Sequence, residues 1–511
     1  MAKAGPQLFA VALFVVIGGA TFLDDRSASA ATGPRCYVDK SAGAPGTGNS
    51  WGTAYTDLQS ALTDASCTEV WVAAGVYKPT ATADRTISFE VKPGVAVYGG
   101  FAGGETSLDQ RSPAANVTVL SGDIDGNDNV NADGVDETVD TTHNVGNSYR
   151  VVYMYGVTTP ITTSTVLDGF TITAGNADTG PSYNSGGGLY CNGEVSPGEC
   201  SPALSNLVFS GNSAVLGGAL FNDGYYGTSS PTLTDVTFSA NHAYNGGAVM
   251  NYGDYYGESS PSLTRVTFRG NDADGAGGAV FNYGSDDTEC GECGGTASPT
   301  LTNVTFGDNN AGDGGAIHNE GTNGGTSSPT LTNVTFSTNS AGQGGAIYSN
   351  GANGTSSASL TNVILWGDTA GTGPEVLNYG GATTTTAYSV VQGGCGAISG
   401  ANCGSGNLST DPLLGPVQNN GGLTQTMELL SGSSAIDTGD DTACPVTDQR
   451  LVTRPQDGDM NGSAICDIGA YEVAGFLPVT VIPALSFKGL ALLGLLLAAG
   501  ALGLLRRGAG A

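Results

Sequence analysis

Two acidic stretches carry oxygen donors at the spacing a hard cation needs. In the first, Asn129, Asn131, Asp133, Gly134 and Asp140 fall at positions 1, 3, 5, 6 and 12 of a calcium-type loop, with Asp123 and Asp125 ahead of them as spare donors. Alternate oxygen ligands around a glycine turn suit Ca²⁺. The last ligand is Asp rather than the longer Glu, and two Asn replace Asp, so any such site is weak. The second stretch, Asp457, Asp459, Asn461 and Asp467, has the spacing but no terminal Glu. A solvated polar loop is the alternative for both. Calcium is therefore the one cofactor suggested, and none is required.

Three further groups could carry chemistry. Paired tyrosines in Gly224-Tyr225-Tyr226-Gly227 and Asp254-Tyr255-Tyr256-Gly257, with Tyr252 and Tyr283 beside them, offer flat apolar faces and hydroxyls to a sugar or a protein; mutual stacking within the loops is the alternative. Cys290-Gly-Glu-Cys293 resembles a redox or metal half-site, but no second Cys pair or His lies nearby. A loop disulfide is the simpler reading, because zinc needs four ligands and His143, His242 and His318 are scattered. Asp235, Arg265, Asn303 and Asn333 occupy equivalent positions and are expected as an outward column with a surface salt bridge. Neither a His-Glu-x-x-His motif nor a phosphate loop occurs.

What positions these residues is a repeat. From Ser201 the chain reads Ser-Pro-x-Leu-Thr-x-Val-x-Phe, then Asn three residues after the Phe, then Gly-Gly-Ala and an aliphatic residue. Units open at Ser201, Ser230, Ser260, Ser298, Ser328 and, degraded, Ser357, so the third is longer than its neighbours. Val304-Thr305-Phe306 and Val334-Thr335-Phe336 alternate apolar and polar, the period of a strand with one buried face. Leu301, three residues before Val304, breaks the alternation and predicts a bend between two short strands. Such a unit makes one coil of a parallel β-helix, a fold in which coils stack roughly 4.8 Å apart and each inward side chain lands on its own copy. Phe209, Phe238, Phe268, Phe306 and Phe336 should stack, and Asn212, Asn241, Asn271, Asn309 and Asn339 should form a hydrogen-bonded ladder. The Gly-Gly pairs suit a corner with positive φ or close backbone approach.

In Phe-x-x-Asn plus Gly-Gly-Ala-[Ile/Leu/Val], over about Gly186 to Asp368, the units resemble the polymorphic outer-membrane protein repeat family. That resemblance implies a right-handed parallel β-helix displayed at the cell surface. It says little about activity, since β-helices host enzymes and passive surface proteins alike.

The formal charge is −30, with 82 Gly and only 16 Lys plus Arg, which disfavours nucleic acid and anionic lipid as partners. Lys3, an apolar run from Leu8 to Ala20, and Ser27-Ala28-Ser29-Ala30 read as a signal peptide, with Sec-type export machinery and a signal peptidase as partners. Export makes the ten cysteines expected disulfide partners, in the local pairs Cys36–Cys67, Cys191–Cys200, Cys290–Cys293, Cys395–Cys403 and Cys444–Cys466.

Both ends of an open β-helix need covering. Tyr55, Leu58, Ala61, Leu62 and Ala65 recur at helical spacing before the strand-like Val70-Trp71-Val72 and predict an N-terminal helical cap. The stretch from Tyr37 to Phe101 resembles the leading region of secreted β-helix repeat proteins. Residues 411–473, with Asp448-Gln449-Arg450, Arg454-Pro455 and Cys466-Asp467-Ile468-Gly469-Ala470-Tyr471-Glu472, resemble the choice-of-anchor domain of bacterial surface proteins. That resemblance implies an anchor directly downstream. Ile482-Pro483-Ala484-Leu485-Ser486 resembles the Ile-Pro-Thr-Leu (IPTL-CTERM) sorting signal, with Ala484 in place of Thr and Phe487-Lys488 in place of Glu-Trp, and implies an exosortase-like partner. The uncharged Gly489 to Leu505 is long enough for a short transmembrane helix, and Arg506-Arg507 place its end in the cytoplasm.

The expected fold is thus all-β, a right-handed parallel β-helix (solenoid) with an N-terminal helical cap and a C-terminal transmembrane helix. Its parts are a signal peptide at 1–30, cap and first coils at 31–110, the β-helix at 111–410 with clear repeats over 201–384, a pre-anchor domain at 411–473, linker and sorting motif at 474–488, the span at 489–505 and a basic tail at 506–511. The expected function is an exported, surface-anchored, non-catalytic structural or adhesin-like protein that binds a carbohydrate or protein ligand. A β-helix polysaccharide lyase or glycoside hydrolase is the alternative.

Overall fold

The computed structural model describes residues 34–475 except 45, 139–144, 181 and 286–292. The signal peptide, Asp140, Cys290, the sorting motif, the 489–505 span and the basic tail lie outside the described residues. Among the described residues no helix is long and apolar enough to cross a membrane.

The chain forms a parallel β-solenoid with three sheets, each contributing one face. The first face runs from Arg35–Val38 through each successive coil to Ala401–Cys403. The second joins strands from Asn176–Ala177 to Thr369–Thr372, and the third joins strands from Phe89–Glu90 to Val376–Tyr379. The register pairs repeat on repeat: Leu301 with Leu331, Val304 with Val334, Phe306 with Phe336. The expected bend is present, and Asn303 and Asn333 sit at it with φ of 54° and 53°. Asn tolerates this left-handed conformation better than most residues. The first glycine of each Gly-Gly pair, Gly217, Gly246, Gly277, Gly314 and Gly344, also has positive φ, between 60° and 68°. The second approaches the next coil so closely that a Cβ on Gly247 would lie 2.2 Å from Gly278 O.

The interior is filled by columns of like on like. Phe209, Phe238, Phe268, Phe306 and Phe336 stack with ring centroids 4.7–4.9 Å apart. Beside them Asn212, Asn241, Asn271, Asn309 and Asn339 each donate from Nδ2 to the Oδ1 of the next, at 3.1, 3.0, 2.9 and 2.8 Å, and Asn339 donates to Asp368 at 2.7 Å. A second ladder, Asn222 to Asn251 to Asn282 to Asn319, lines the third face from inside. The opening serine of each unit is a third: Ser201 Oγ accepts from Ser230 N, and Ser230 Oγ from Ser260 N.

At the amino end the structure corrects the expected helical cap. The helix covers only Leu58–Thr63, with Leu58, Ala61 and Leu62 buried and Tyr55 and Ala65 outside it. Asp57 caps its first turn through Ser60 N at 2.7 Å. Asp64 ends it by accepting from Ser66 N and Oγ, which starts the turn to Cys67 and its disulfide with Cys36.

The carboxyl-terminal segment lies along the first face. Its antiparallel strands Leu414–Gln418 and Thr426–Leu429 lead into irregular chain that hydrogen-bonds the bends of successive coils. Asn303 Nδ2 donates to Thr447 O, Asn333 Nδ2 to Asp467 O and Gly469 O, and Asn362 Nδ2 to Asp440 O. Gln449 is buried between Thr267 and Thr305, donating to one hydroxyl and accepting from the other. The Arg454 guanidinium, fully buried, pairs with Glu472 at 2.9 Å and donates to Asp467 O and Gly469 O. The outward column expected at Asp235, Arg265, Asn303 and Asn333 is therefore not a free surface. Arg265 does grip Asp235 bidentately at 2.7 and 2.9 Å, but Asp235, Asn303 and Asn333 are buried. At Asn303, Asn333 and Asn362 the returning segment accepts from the bend amides.

The first Asn ladder ends on two carboxyls. Asp368 accepts from Asn339 with Oδ1, while its Oδ2 and both oxygens of the buried Glu375 meet no donor. Burial raises both groups well above the usual carboxylate range, and the neighbouring Asp368 raises Glu375 further, while the contact with Glu375 partly offsets the rise of Asp368. Folded values above the unfolded ones mean stability that is complete in acid and lost as pH rises through and beyond that range. Asp368→Asn should therefore raise Tm at pH 8, by about 1–2 kcal/mol of stability, and leave it nearly unchanged at pH 4, as read by thermal unfolding at both pH values. Asn271→Ala, in mid-ladder, should cost about 3 kcal/mol because it leaves the amides of Asn241 and Asn309 half paired.

Candidate functional site

The third face turns back to the first through loops that stack as the strands do. Gly227 must be glycine, since a Cβ there would stand 2.0 Å from Gly193 O of the preceding coil, and Gly257 likewise meets Gly224 O at 1.8 Å. Backbone bonds from Tyr226 N to Asp254 O and from Tyr256 N to Cys293 O lock each loop onto the next. The tyrosines thus repeat at one-coil spacing along one corner.

The six expected residues come together. Tyr252 stacks on Tyr283 at 5.2 Å, Tyr225 on Tyr252 at 6.4 Å and on Tyr255 at 5.7 Å. Tyr226 lies 5.2 Å from Tyr255, and Tyr256 meets Tyr255 edge-on at 5.7 Å. Four of them are half-buried by this stacking, while Tyr226 and Tyr256 remain 43% and 64% exposed. Mutual stacking and an exposed aromatic surface, the two alternatives, are both realised on different rings.

Tyr226 and Tyr256, with Ser196, Pro197, Gly198, Glu199, Gly227 and Thr228, line a cleft of about 550 Å³. Its far wall is the loop closed by Cys191–Cys200. Two buried acids brace the tyrosine loops from below. Asp223 accepts from Tyr225 N at 3.1 Å and from the Tyr190 hydroxyl, and its burial raises its pKa to about 6. Asp254 accepts from Tyr255 N at 2.7 Å and from the Tyr252 hydroxyl at 2.8 Å. The Tyr225 hydroxyl is raised by partial burial and then by nearby Asp254, so that ring stays neutral at physiological pH. The cleft can offer ring faces and a carboxylate acceptor at Glu199. It holds no nucleophile–base pair. Tyr190 and Asp223 were not singled out from sequence, because nothing in the local pattern marks a support residue lying one coil away.

The calcium candidates fare differently. In the first stretch Asn129, Asn131 and Asp133 are exposed. Asn131 Oδ1 is already engaged by Asp133 N and Val135 N, and Asn131 and Asp133 line a groove instead of facing each other. In the second, Asp457 and Asp459 gather with Asp437 rather than Asp467, whose oxygens accept from Asp437 N and Val473 N. Asp437 is a ligand candidate that local spacing could not reveal, twenty residues upstream. Four expected disulfides are formed, Cys36–Cys67, Cys191–Cys200, Cys395–Cys403 and Cys444–Cys466, and Cys293 is disulfide-bonded. His242 is held by Asp272 at 3.1 Å, and that hydrogen bond raises its pKa.

A second concavity runs along the first face between loop 117–137 and the tip of the 414–429 hairpin. It comprises adjoining cavities of about 610 and 320 Å³ that share Val117, Thr171, Val208, Thr237 and Leu423. Asp133 and Glu137 stand on one side and Arg269 lines the same groove.

The model of the Chlamydia polymorphic membrane protein (Chlamydia_PMP) repeat matches residues 206–223 and 333–350. Both segments run from the bend through the ladder Asn and the Gly-Gly corner into the third face, so the similarity is to the residues that build a coil. No curated protein matches the chain. The chain is a repeat protein of parallel β-solenoid architecture, two of whose units are similar to that membrane-protein repeat.

Proposed function

We propose that the protein is exported, anchored at the cell surface, non-catalytic and adhesin-like, and that it binds carbohydrate at the tyrosine corner. The observation that carries this reading is the cleft in which the exposed Tyr226 and Tyr256 flank Glu199. A sugar ring presents an apolar face to an aromatic ring and hydroxyls to a carboxylate, and a stacked, preformed platform loses little entropy on binding. Four disulfides among the described cysteines suit an oxidising exterior, and the similarity to a polymorphic membrane protein repeat supports surface display. Export by a Sec-type pathway and sorting at Ile482 to Ser486 by an exosortase-like enzyme complete the reading. The mass of the mature protein from fractionated cells distinguishes a retained from a removed anchor.

The groove on the first face favours a second reading, a polysaccharide lyase or glycoside hydrolase, because acids and an arginine line it together. Incubation with pectins, alginates and glycosaminoglycans should yield no new reducing ends and no unsaturated-uronate absorbance; either product establishes the enzymatic reading instead.

On a glycan array the protein should bind a restricted set of oligosaccharides. Tyr226→Ala and Tyr256→Ala should each weaken that binding about tenfold with little change in Tm, and binding indifferent to both variants removes the site from this corner. The Cys191→Ser/Cys200→Ser pair should lower affinity as well by loosening the Ser196–Glu199 wall. Thermal unfolding should show a loss of roughly 2–3 kcal/mol for a closed loop of this size.

A further inference from the structure

Apart from the Asp368–Glu375 pair that ends the Asn ladder, buried oxygens without partners also gather beside the first-face groove. The loop leaving the strand Thr118–Ser121 folds on its own acids: Asp123 Oδ1 accepts from Gly126 N at 2.6 Å and Asn127 N at 3.1 Å, and Asp125 Oδ2 accepts from Asn127 Nδ2 at 2.9 Å. This carries Asp128 onto Asn147, a fully buried residue whose Nδ2 donates to Asp128 Oδ2 at 2.7 Å. The other oxygen of each side chain, Asp128 Oδ1 and Asn147 Oδ1, is buried and accepts nothing, and the adjacent Ser148 Oγ is also unpartnered. Asp125 closes on the same spot, since a Cβ on Gly146 would stand 2.2 Å from its Oδ2.

The electrostatics agree with this geometry. Burial raises the Asp128 carboxyl to about 7, and the negative charges of Asp123, Asp136 and Asp125 add to the rise. Lys78 pairs with Asp123 at 3.4 Å, and Arg85 Nε donates to the Asn147 backbone carbonyl at 2.6 Å. Orphaned carboxylate and amide oxygens in an acidic, partly desolvated pocket form a hard-oxygen donor set, and irregular loop geometry suits Ca²⁺ better than the smaller, strictly octahedral Mg²⁺.

We propose that Asp128, Asn147 and Asp125 form a calcium site that fastens the acidic loop to the solenoid. The site lies upstream of the Asn129–Asp140 spacing and uses a residue, Asn147, beyond it. With the ion between them, the Asn147 amide turns over to present Oδ1 rather than Nδ2 toward Asp128, so both orphaned oxygens become ligands. Because Asn131, Asp133 and Glu137 of the same loop line the first-face groove, calcium occupancy sets the position of that groove's acidic wall.

The test uses the full exported chain, stripped with EDTA and titrated with CaCl₂ and separately with MgCl₂, read by calorimetry and thermal unfolding. Calcium should bind and raise Tm, with magnesium markedly weaker. Asp128→Asn keeps a side chain that can accept from Asn147 while removing the buried charge. Its metal-free Tm should therefore equal or exceed that of the wild type, and the calcium-dependent rise should vanish. Asp457→Asn, in the separate carboxyl-terminal cluster, should keep the rise. No calcium response in the wild type, or a response that survives Asp128→Asn, overturns the proposal.

Discussion

A side chain buried in a parallel stack must find its partner in a copy of itself. Few polar groups can do so. A carboxamide can, because it carries a donor and an acceptor, so translation by one coil sets Nδ2 of each Asn against Oδ1 of the next. The ladder from Asn212 to Asn339 is this condition met coil after coil, with the Nδ2 of Asn241, Asn271, Asn309 and Asn339 each also reaching the phenylalanine carbonyl of the preceding coil, and that of Asn212 reaching Ile172 O. An acid in the same place cannot continue it. Asp368 accepts from Asn339 and then faces only Glu375, and the regular repeat ends within the next coil.

The same rule divides the molecule into positions that are held and positions that are free. Inward Leu, Val, Phe and Asn, the corner glycines and the opening serines are held, because each meets its own copy. Loops between the third and first faces are held at their glycines and backbone hydrogen bonds, not through the identity of their tip side chains. Their tips vary from coil to coil, from Val195-Ser196-Pro197 to Tyr225-Tyr226 to Tyr255-Tyr256 to the longer unit ending at Cys293, and this is where a binding surface can be built without loosening the stack. The tyrosines are consistent with that division: stacking fixes four rings half-buried and leaves two facing the cleft.

The carboxyl-terminal segment obeys a different constraint. A bend in left-handed conformation turns Asp235, Arg265, Asn303, Asn333 and Asn362 away from the interior, where neighbouring copies satisfy them only in part, Arg265 on Asp235 and Asn362 on Asn333. Irregular chain from Asp440 to Ala470 provides the missing carbonyls and amides, and is itself held by the buried Arg454–Glu472 pair. Removing one partner of a buried pair like this strands the other charge, so residues scattered over Asp448 to Glu472 act together. They form an interface with the solenoid's flank, which explains why buried polar residues occur in a segment with almost no regular structure.

The amino-acid sequence by itself determined the solenoid, its two-strand bend, the Phe and Asn columns and the positive-φ glycines. All of these depend on a period that repeats along the chain, so each copy corroborates the others. It also located the tyrosine corner, since equal spacing from the coil start implies proximity in space. The tertiary structure alone decided what has no period: that the amino-terminal helix stops at Thr63, that the Asp235–Asn333 column is covered, that Asp437 joins Asp457 and Asp459, and that Asp128 meets Asn147. These contacts join segments related by no repeat, and only the shape of the folded stack brings them within hydrogen-bonding distance.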